Sequence, residues 1–348
     1  MNKKKFNIVV AVLIVLLILS FLVTLCWGTY KVSPGEVLNT LLGNGTKLQN
    51  TAILSIRLPR MLVGMFVAIA LSSAGCILQT VTKNDLADTG IIGINAGAAV
   101  AAVLFITYST GAYYSQLGAL SIFVLPFMAI VGASITAFII YMMSSRKGIK
   151  PKRLLLIGIG LNAGLNAFIT FFTFRGGVGD YNRVLVWTSG SLWGSGWSYA
   201  KVIIPIVAIM FILVLLNHKK LDVLNLSDEL AISLGLNLGD DVAIGLGENP
   251  EKIRFITLMV MIPMCAAAVA VGKNIAFVGL IIPQIVRKLL GEDYRRNIPC
   301  SFLLGAVLLI FSDIAARMLF DPYETPIGVF TALIGVPFFI SIARKERG

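Results

Sequence analysis

Three arginines lie beside or within long apolar runs, where charged residues are unexpected. Arg57 and Arg60 belong to the stretch RLPR before a long apolar run, and Arg317 lies inside another apolar run, four residues after Asp313. A guanidinium group binds a carboxylate through two parallel hydrogen bonds. The three arginines therefore predict a docking site for a partner that presents Asp or Glu. The alternative is internal pairing, as between Asp313 and Arg317 on one helical face.

Signatures of catalysis are missing from the sequence. It contains no GxxxxGK[ST] segment for ATP hydrolysis and no HExxH segment for zinc, and its one histidine, His218, stands beside two lysines. We therefore expect no catalytic residue, no cofactor and no bound metal. A transporter driven by an ion gradient is the alternative from another class. Proton relays, however, usually need more buried carboxylates than Asp313 alone, so we expect another protein to supply the energy.

Composition places these residues in a membrane protein. Of the 348 residues, 57% are hydrophobic and 13% are charged, against about 25% charged in soluble domains, and apolar runs of about twenty residues are long enough to cross a bilayer. We predict an all-α polytopic membrane protein in which residues 1–348 form a single transmembrane domain. About ten spans are expected, at 8–27, 61–81, 90–108, 119–143, 154–174, 198–217, 255–271, 276–290, 299–320 and 327–343. The eighth is short and contains Pro283, so we do not require it to cross fully.

The lysines and arginines orient these spans. With the N-terminus inside, 20 of the 29 Lys and Arg residues fall in inner segments, as the positive-inside rule requires. Both termini are therefore expected in the cytoplasm, and residues 218–254 form a cytoplasmic loop. The three arginines Arg57, Arg60 and Arg317 then lie at the outer rim, where the positive-inside rule predicts few positive charges. This position favours a functional role for them.

Two asparagines indicate a central helix. Asn162 and Asn166 are separated by one helical turn on a segment striped with glycine, GIGLNAGLN. Amide side chains within a span bridge helices or face a water-filled path. We predict that both line a pathway; packing alone is the alternative.

The cytoplasmic loop contains the same phrase twice. LNLSDELAISLG at 224–235 is followed directly by LNLGDDVAIGLG at 236–247, with eight of twelve positions identical. In each copy a small or polar residue, Ser227 or Gly239, precedes two acids, and a glycine closes the phrase, which is typical helix punctuation. A helix of about seven residues is marginal alone. Each copy should therefore dock, either on a partner or on the chain's own inner loops.

Longer stretches resemble one family of transport proteins. RLPRMLVGMFVAIALSSAGCILQTVTKNDLADTGIIGINAGA (57–98), VWTSGSLWGSGW (186–197), IAFVGLIIPQIVRKLLGEDYRR (275–296) and SDIAARMLF (312–320) are similar to the FecCD-type permeases of iron–siderophore, haem and cobalamin importers. The resemblance implies a type II ABC importer permease in the bacterial plasma membrane. Its partners would be a second permease (a homodimer or a homologous heterodimer), cytoplasmic ATPase subunits and an extracellular substrate-binding lipoprotein.

The resemblance also implies roles for individual residues. Arg57, Arg60 and Arg317 match arginines that receive glutamates of the binding protein, and Asn84 and Leu86 match an inner gate. The sequence departs from the family at Asp85, where many relatives have proline, and at Gln284, where histidine is usual. The A-x-x-LG phrase corresponds to the ATPase-coupling helix, which assigns coupling to Ser227, Asp228, Glu229, Ala231, Leu234, Gly235, Asp240, Ala243, Leu246 and Gly247.

The function expected from the resemblance is import by alternating access, with ferric hydroxamate as the substrate. Haem, cobalamin or another siderophore remains the alternative within the family, because specificity should lie largely in the binding protein. We interpret the doubled phrase as a twelve-residue duplication within the coupling loop. The first copy is favoured as the docking copy because its apolar face is fuller, with Leu226, Leu230 and Leu234.

Overall fold

The computed structural model describes residues 3–28, 30–108, 121–145, 150–175, 184–185, 187–233, 244, 249–319 and 324–345, with backbone only at 3, 121–122, 226–233 and 342–345. Throughout these ranges the regular structure is helical. The helices, in chain order, are α1 (Lys3–Cys26), α2 (Pro34–Leu41), α3 (Lys47–Asn50), α4 (Leu58–Thr82), α5 (Thr89–Ile92), α6 (Ile94–Tyr108), α7 (Ser121–Ser145), α8 (Pro151–Arg175), α9 (Trp197–Leu216), α10 (His218–Ser233), α11 (Pro250–Gly272), α12 (Val278–Leu290), α13 (Tyr294–Met318) and α14 (Ile327–Lys345).

Short helices connect α1 to α4 and begin with strong local signals. Ser33 caps α2 and Thr46 caps α3, each in a reciprocal capping box with the residue three positions later. A π-helical segment, Thr51–Arg57, then continues directly into α4. Arg57 is its last residue, so the RLPR stretch lies at the junction of two helical forms.

Helix α4 is the centre of the bundle. Helices α9, α11, α12 and α13 pack against it, and 83% of the apolar window of the helix that contains α4 is buried. In α8 the corresponding share is 11%. A helix that is apolar all round is suited to the interior of a bundle, whereas α8 leaves most of its surface for lipid or for another protein. The expectation that the helix with Asn162 and Asn166 is central is therefore wrong within this chain, where α4 has that place.

Two glycines permit close approaches that shape the interior. A Cβ atom at Gly75 on α4 would lie 1.9 Å from the carbonyl oxygen of Gly279, so α12 begins against the middle of α4. Gly93 separates α5 from α6 with a φ of +92°, a conformation that glycine adopts without strain. Its missing side chain also leaves room for Asn162, whose Cβ would lie 3.0 Å from one at Gly93.

The ten predicted spans all fall on helices, and the all-helical membrane fold is confirmed. Seven helices of the described residues are long and apolar enough to cross a membrane, and Ile94–Tyr108 and Ile327–Ser341 are shorter apolar helices. The eighth predicted span corresponds to α12. Its 13 residues extend only about 20 Å, less than the ~30 Å hydrocarbon core. This agrees with the expectation that it need not cross.

Candidate functional site

The three arginines come together at one end of the bundle. They line a recess of about 350 Å³, together with Lys31 and Glu324 among others. We call this the arginine end. Helix α4 runs from there for 25 residues, or about 37 Å, so its last residue, Thr82, lies at the opposite end of the bundle.

Arg57 is held by the backbone rather than by an acid. Its side chain is buried, its Nη1 donates to the carbonyl oxygen of Leu25 at 2.6 Å, and its Nη2 donates to the carbonyl oxygen of Tyr30. Charged hydrogen bonds of this kind are about twice as strong as neutral ones. Arg57 therefore fastens the segment after α1 to the start of α4.

Arg60 and Arg317 share one buried carboxylate. The Nη2 atom of Arg60 lies 2.8 Å from Asp313 Oδ1, and Arg317 Nε lies 3.1 Å from Asp313 Oδ2. Arg60 Nη1 also donates to both carboxylate oxygens of Glu324 at 3.0 Å. The internal pair expected between Asp313 and Arg317 is thus present, and the contact from Arg60 to Glu324 was missed. Glu324 follows Arg60 by 264 positions, so no local spacing could have shown it.

These contacts bear on how an acidic partner could dock. Side chains of Arg60 and Asp313 are 9% and 5% exposed, while Glu324 is 34% exposed. An incoming carboxylate would therefore meet Glu324 before it met Arg60. The docking role of the three arginines stays a prediction, and the geometry adds that docking has an internal competitor.

A second cavity, of about 450 Å³, lies within the bundle and is lined by amide side chains. Asn162 and Asn166 both contribute to it, as does Asn95, with Asn274 on the segment after α11. Asn166 Nδ2 donates to Asn162 Oδ1 at 2.9 Å, and Asn95 Nδ2 donates to Asn274 Oδ1 at 3.1 Å. We call this the amide cavity. The two asparagines predicted from the sequence do line a cavity, with Asn166 exposed on the surface of the chain; that the cavity is part of a pathway stays a prediction.

Two of the four asparagines that line the amide cavity, Asn95 and Asn274, were not identified from the sequence. Asn95 lies one residue after the start of α6 and Asn274 lies two residues after α11, so neither shares a helical face with another asparagine. Their only local signal is an asparagine two residues from a glycine, in GINAG and in VGKN. Asp88 also lines the cavity and accepts a hydrogen bond from Gly90 N at 3.2 Å, which caps α5.

The predicted gate residues lie in the loop 83–88 that follows α4, which we call the gate loop. Asn84 Oδ1 accepts a hydrogen bond from Leu86 N at 2.8 Å, which closes a tight turn. Both side chains are half-buried. Arg287 Nη2 lies 2.8 Å from Asp85 Oδ1, and Gln284 Nε2 donates to the carbonyl oxygen of Asp85. Two residues of α12 therefore hold Asp85, one through its side chain and one through its backbone.

The first copy of the doubled phrase lies on α10, together with residues before it. Ser227, Asp228, Glu229 and Ala231 are helical, but the expected start of a helix at Ser227 is wrong, because α10 already begins at His218. Leu221 and Leu224 are buried and nucleate the helix earlier, so the acids extend an existing helix at little cost. Other predicted coupling residues lie outside the described residues: Leu234, Gly235, Asp240, Ala243, Leu246 and Gly247.

No metal site is evident in the described part of the chain. Within those ranges, no group of three or more His, Cys, Asp and Glu side chains is placed to hold an ion.

Long apolar helices around a polar cavity, with buried ion pairs near their ends, define an integral membrane transport protein. Comparison with known proteins narrows the class. The FecCD transport family matches residues 16–238 and 236–345, and the chain belongs to this family. The match divides where the second copy of the doubled phrase begins.

Curated relatives span nearly the whole chain. It is 37% identical over 340 residues to the iron(3+)-hydroxamate import system permease protein FhuG of Bacillus subtilis, covering 98% of this chain and 97% of that protein. It is 34% identical to the Fe(3+)-citrate import system permease protein YfmE of the same organism, covering 99% and 97%. It is also 34% identical to the Fe(3+) dicitrate transport system permease protein FecD of Escherichia coli, covering 85% and 86%.

A solved structure shares the fold. The chain superimposes with a TM-score of 0.78 and 26% identity on a metal-chelate type ABC transporter described in an inward-facing conformation, covering 97% of this chain and 99% of that one. The predicted fold class, an ABC importer permease, is confirmed.

Proposed function

We propose that this protein is the membrane-spanning permease subunit of an ABC importer that carries ferric hydroxamate into the cytoplasm. The observation that carries the proposal is the amide cavity, within a chain whose relatives are iron-chelate permeases. The subunit forms the path and does not itself hydrolyse ATP. A separate ATPase supplies the energy, and the path opens alternately to the two sides of the membrane.

The residues that line the amide cavity favour an uncharged iron chelate as the substrate. Its polar groups are four asparagines, Thr188 and the carboxylate of Asp88, and no lysine or arginine occurs among the described lining residues. Three monoanionic hydroxamates neutralise Fe³⁺, whereas three catecholates leave a trianion. An anionic chelate would meet the Asp88 carboxylate with no compensating cation among these lining residues, and like charges repel each other. Amides donate to and accept from a neutral chelate equally well.

Exposed polar groups on α8 support a second permease. Asn166 and Thr170 are exposed on a helix long enough to cross the membrane, and amide groups in lipid are costly. We infer that a second copy or a homologue covers this face and completes the cavity. A cavity of about 450 Å³ is within the ~300–1,000 Å³ range of ligand sites, and a second half would enlarge it.

The two ends of the bundle would receive the other partners. Following the charge distribution, we place both termini and α10 in the cytoplasm and the arginine end outside. The ATPase would then bind the coupling segment that begins with α10. The binding protein would present carboxylates to Arg57, Arg60 and Arg317, in competition with Glu324.

Reconstituted vesicles test this function. The permease, ATPase and binding protein are incorporated together, and uptake of ⁵⁵Fe-labelled ferric trihydroxamate is measured. Uptake should require ATP and the binding protein, and should stop with an ATPase subunit that cannot hydrolyse ATP. Uptake by the chain alone that collapses with an uncoupler would instead identify a secondary transporter and contradict the proposal.

A further inference from the structure

Contacts with α12 hold the gate loop at a single residue, Asp85. Arg287 Nη2 binds Asp85 Oδ1 at 2.8 Å, with the arginine side chain 8% exposed and the aspartate 60% exposed. Gln284, which is buried, donates to the backbone carbonyl oxygen of the same aspartate. One residue of the loop is therefore held through both its side chain and its backbone.

Helix α12 is in turn fixed to α4. Gln79 of α4 accepts a hydrogen bond from Arg287 Nη2 at 2.5 Å, and its Nε2 donates to the carbonyl oxygens of Gly279 and Leu280 at 3.3 and 3.1 Å. Arg287 thus lies between a fixed partner on α4 and a more exposed partner on the gate loop. Of these two contacts, the one to Asp85 is the easier to break, because water can replace it.

Helix α10 contacts the turn that follows α12. Asp222 Oδ1 accepts a hydrogen bond from Tyr294 N at 2.9 Å, and Asn225 Nδ2 donates to Glu292 Oε2 at 3.0 Å. Tyr294 is fully buried, and its hydroxyl group bonds Thr80 on α4. The turn is also closed by Asn297 Nδ2, which donates to the carbonyl oxygen of Gly291 at 2.7 Å. A displacement of α10 would therefore pull on the C-terminal end of α12.

We propose that Asp85, Gln284 and Arg287 form a latch on the gate loop, and that α10 moves this latch through Asp222, Asn225 and the turn at 291–294. The proposal rests on the proposed function for its energy source, the ATPase bound at α10. The latch holds the loop in the observed position, and motion of α10 shifts α12 and strains the pair between Arg287 and Asp85. Gln79 restrains Arg287, so the gate loop is the element that is released.

The ion pair between Arg287 and Asp85 is weak enough to form and break as the gate loop moves. An ion pair with one largely exposed partner shifts an equilibrium by about two- to fivefold. The pair can therefore bias the position of the loop without locking it. Tyr294, at the other end of the relay, is fully buried, so water competes less for its contact with Asp222 than for the pair between Arg287 and Asp85.

Thiol labelling of the gate loop tests the latch. Ala87 is fully buried in this loop, so Ala87→Cys, in a variant with the four native cysteines replaced by alanine, reports release of the loop. In lipid nanodiscs, Asp85→Asn should raise the maleimide labelling rate about two- to fivefold. Glu251→Gln, which removes an exposed carboxylate at the start of α11, should leave the rate unchanged. Labelling of Asp85→Asn at the parent rate overturns the latch.

ATP tests the relay in the assembled importer. ATP should change the labelling rate of the parent, and Asp222→Ala or Asn225→Ala should abolish that change while leaving the rate without ATP unaltered. Asp222→Asn keeps an acceptor oxygen for Tyr294 N and should retain the change. An undiminished response in Asn225→Ala, whose contact is exposed and whose loss should not prevent folding, overturns the relay. Absence of any ATP effect in the parent contradicts the proposed function instead, and Asp85→Asn still decides the latch.

Discussion

Replacing Arg60 by methionine tests the ion-pair cluster at the arginine end. Methionine keeps much of the apolar volume and removes the charge. Asp313, 5% exposed, would keep only its pair with Arg317, and Glu324 would lose its hydrogen bonds to Arg60. Removing one partner from a buried pair costs about 3–5 kcal/mol, because the other charge stays buried.

The size of this effect can be expressed as a shift in melting temperature. Unfolding entropies average about 2.1 cal/mol/K per residue, so for a chain of 348 residues the loss corresponds to about 4–7 °C. Thermal unfolding of the purified chain in detergent is the assay. Lys31→Met, which removes an exposed charge from the same recess, is the matched control and should shift the melting temperature by less than about 1 °C.

A double variant separates the buried-charge penalty from simple loss of contacts. Asp313→Asn in the Arg60→Met background should cost less stability than the sum of the two single losses, because the pair between Arg60 and Asp313 is counted twice in that sum. Residues within one ion-pair network typically couple by about 0.5–3 kcal/mol. Additive losses, or an Arg60→Met protein that melts with the parent, would refute the reasoning that the cluster is held by mutual neutralisation.

Three further outcomes follow from the geometry. Gly75→Val should fail to assemble or melt at least about 5 °C lower, because its Cβ would lie 1.9 Å from a carbonyl oxygen of α12. Gly160→Val, with open space around residue 160, is the control. Equal yields and melting temperatures for the two variants would contradict the close packing of α4 on α12. Asn95→Leu should cost about 1–3 kcal/mol in thermal unfolding by leaving Asn274 without that hydrogen bond, and an unchanged melting temperature would exclude the pair. Burial raises the pKa of Asp222, so its charged form destabilises the fold at neutral pH, and that penalty is lost as pH falls through the raised folded pKa toward the ordinary Asp range. Asp222→Asn should therefore be more stable than the parent at pH 7.5, and this advantage should shrink as pH falls; a difference independent of pH would refute it.

The bundle itself was largely predictable. Apolar runs of sufficient length dictate helices in a bilayer because no other element satisfies its backbone there, and all ten predicted spans correspond to helices. The shortness of α12 was also anticipated from its short apolar run, although Pro283 lies inside the helix and does not end it. Local signals of this kind act over a few residues and are visible in one sequence.

Long-range partners were not predictable. The arginines were identified by their exceptional positions, but the pairing of Arg60 with Glu324 joins residues 264 positions apart. The sequence likewise gives no local sign that Asn95 contacts Asn274 or that Asp85 contacts Arg287. These pairs depend on how helices are arranged around α4. No periodicity in the chain encodes that arrangement directly.

The start of α10 shows a different limit. Ser227 followed by two acids is a sound local signal for a helix start, yet the helix begins nine residues earlier, at His218. Burial of Leu221 and Leu224 against the bundle stabilises the earlier turns, and a helix already nucleated passes through a capping signal. Tertiary packing thus overrides local punctuation.

The most direct test of the central claim is competition for ATP-driven uptake in the reconstituted importer. With ⁵⁵Fe bound to a trihydroxamate, unlabelled ferric trihydroxamate should abolish uptake of the label, while equal amounts of ferric tricatecholate and ferric citrate should leave it nearly unchanged. Uptake of the anionic chelates at the same rate, or competition by them as effective as that of the hydroxamate, would contradict an amide-lined path for a neutral iron chelate.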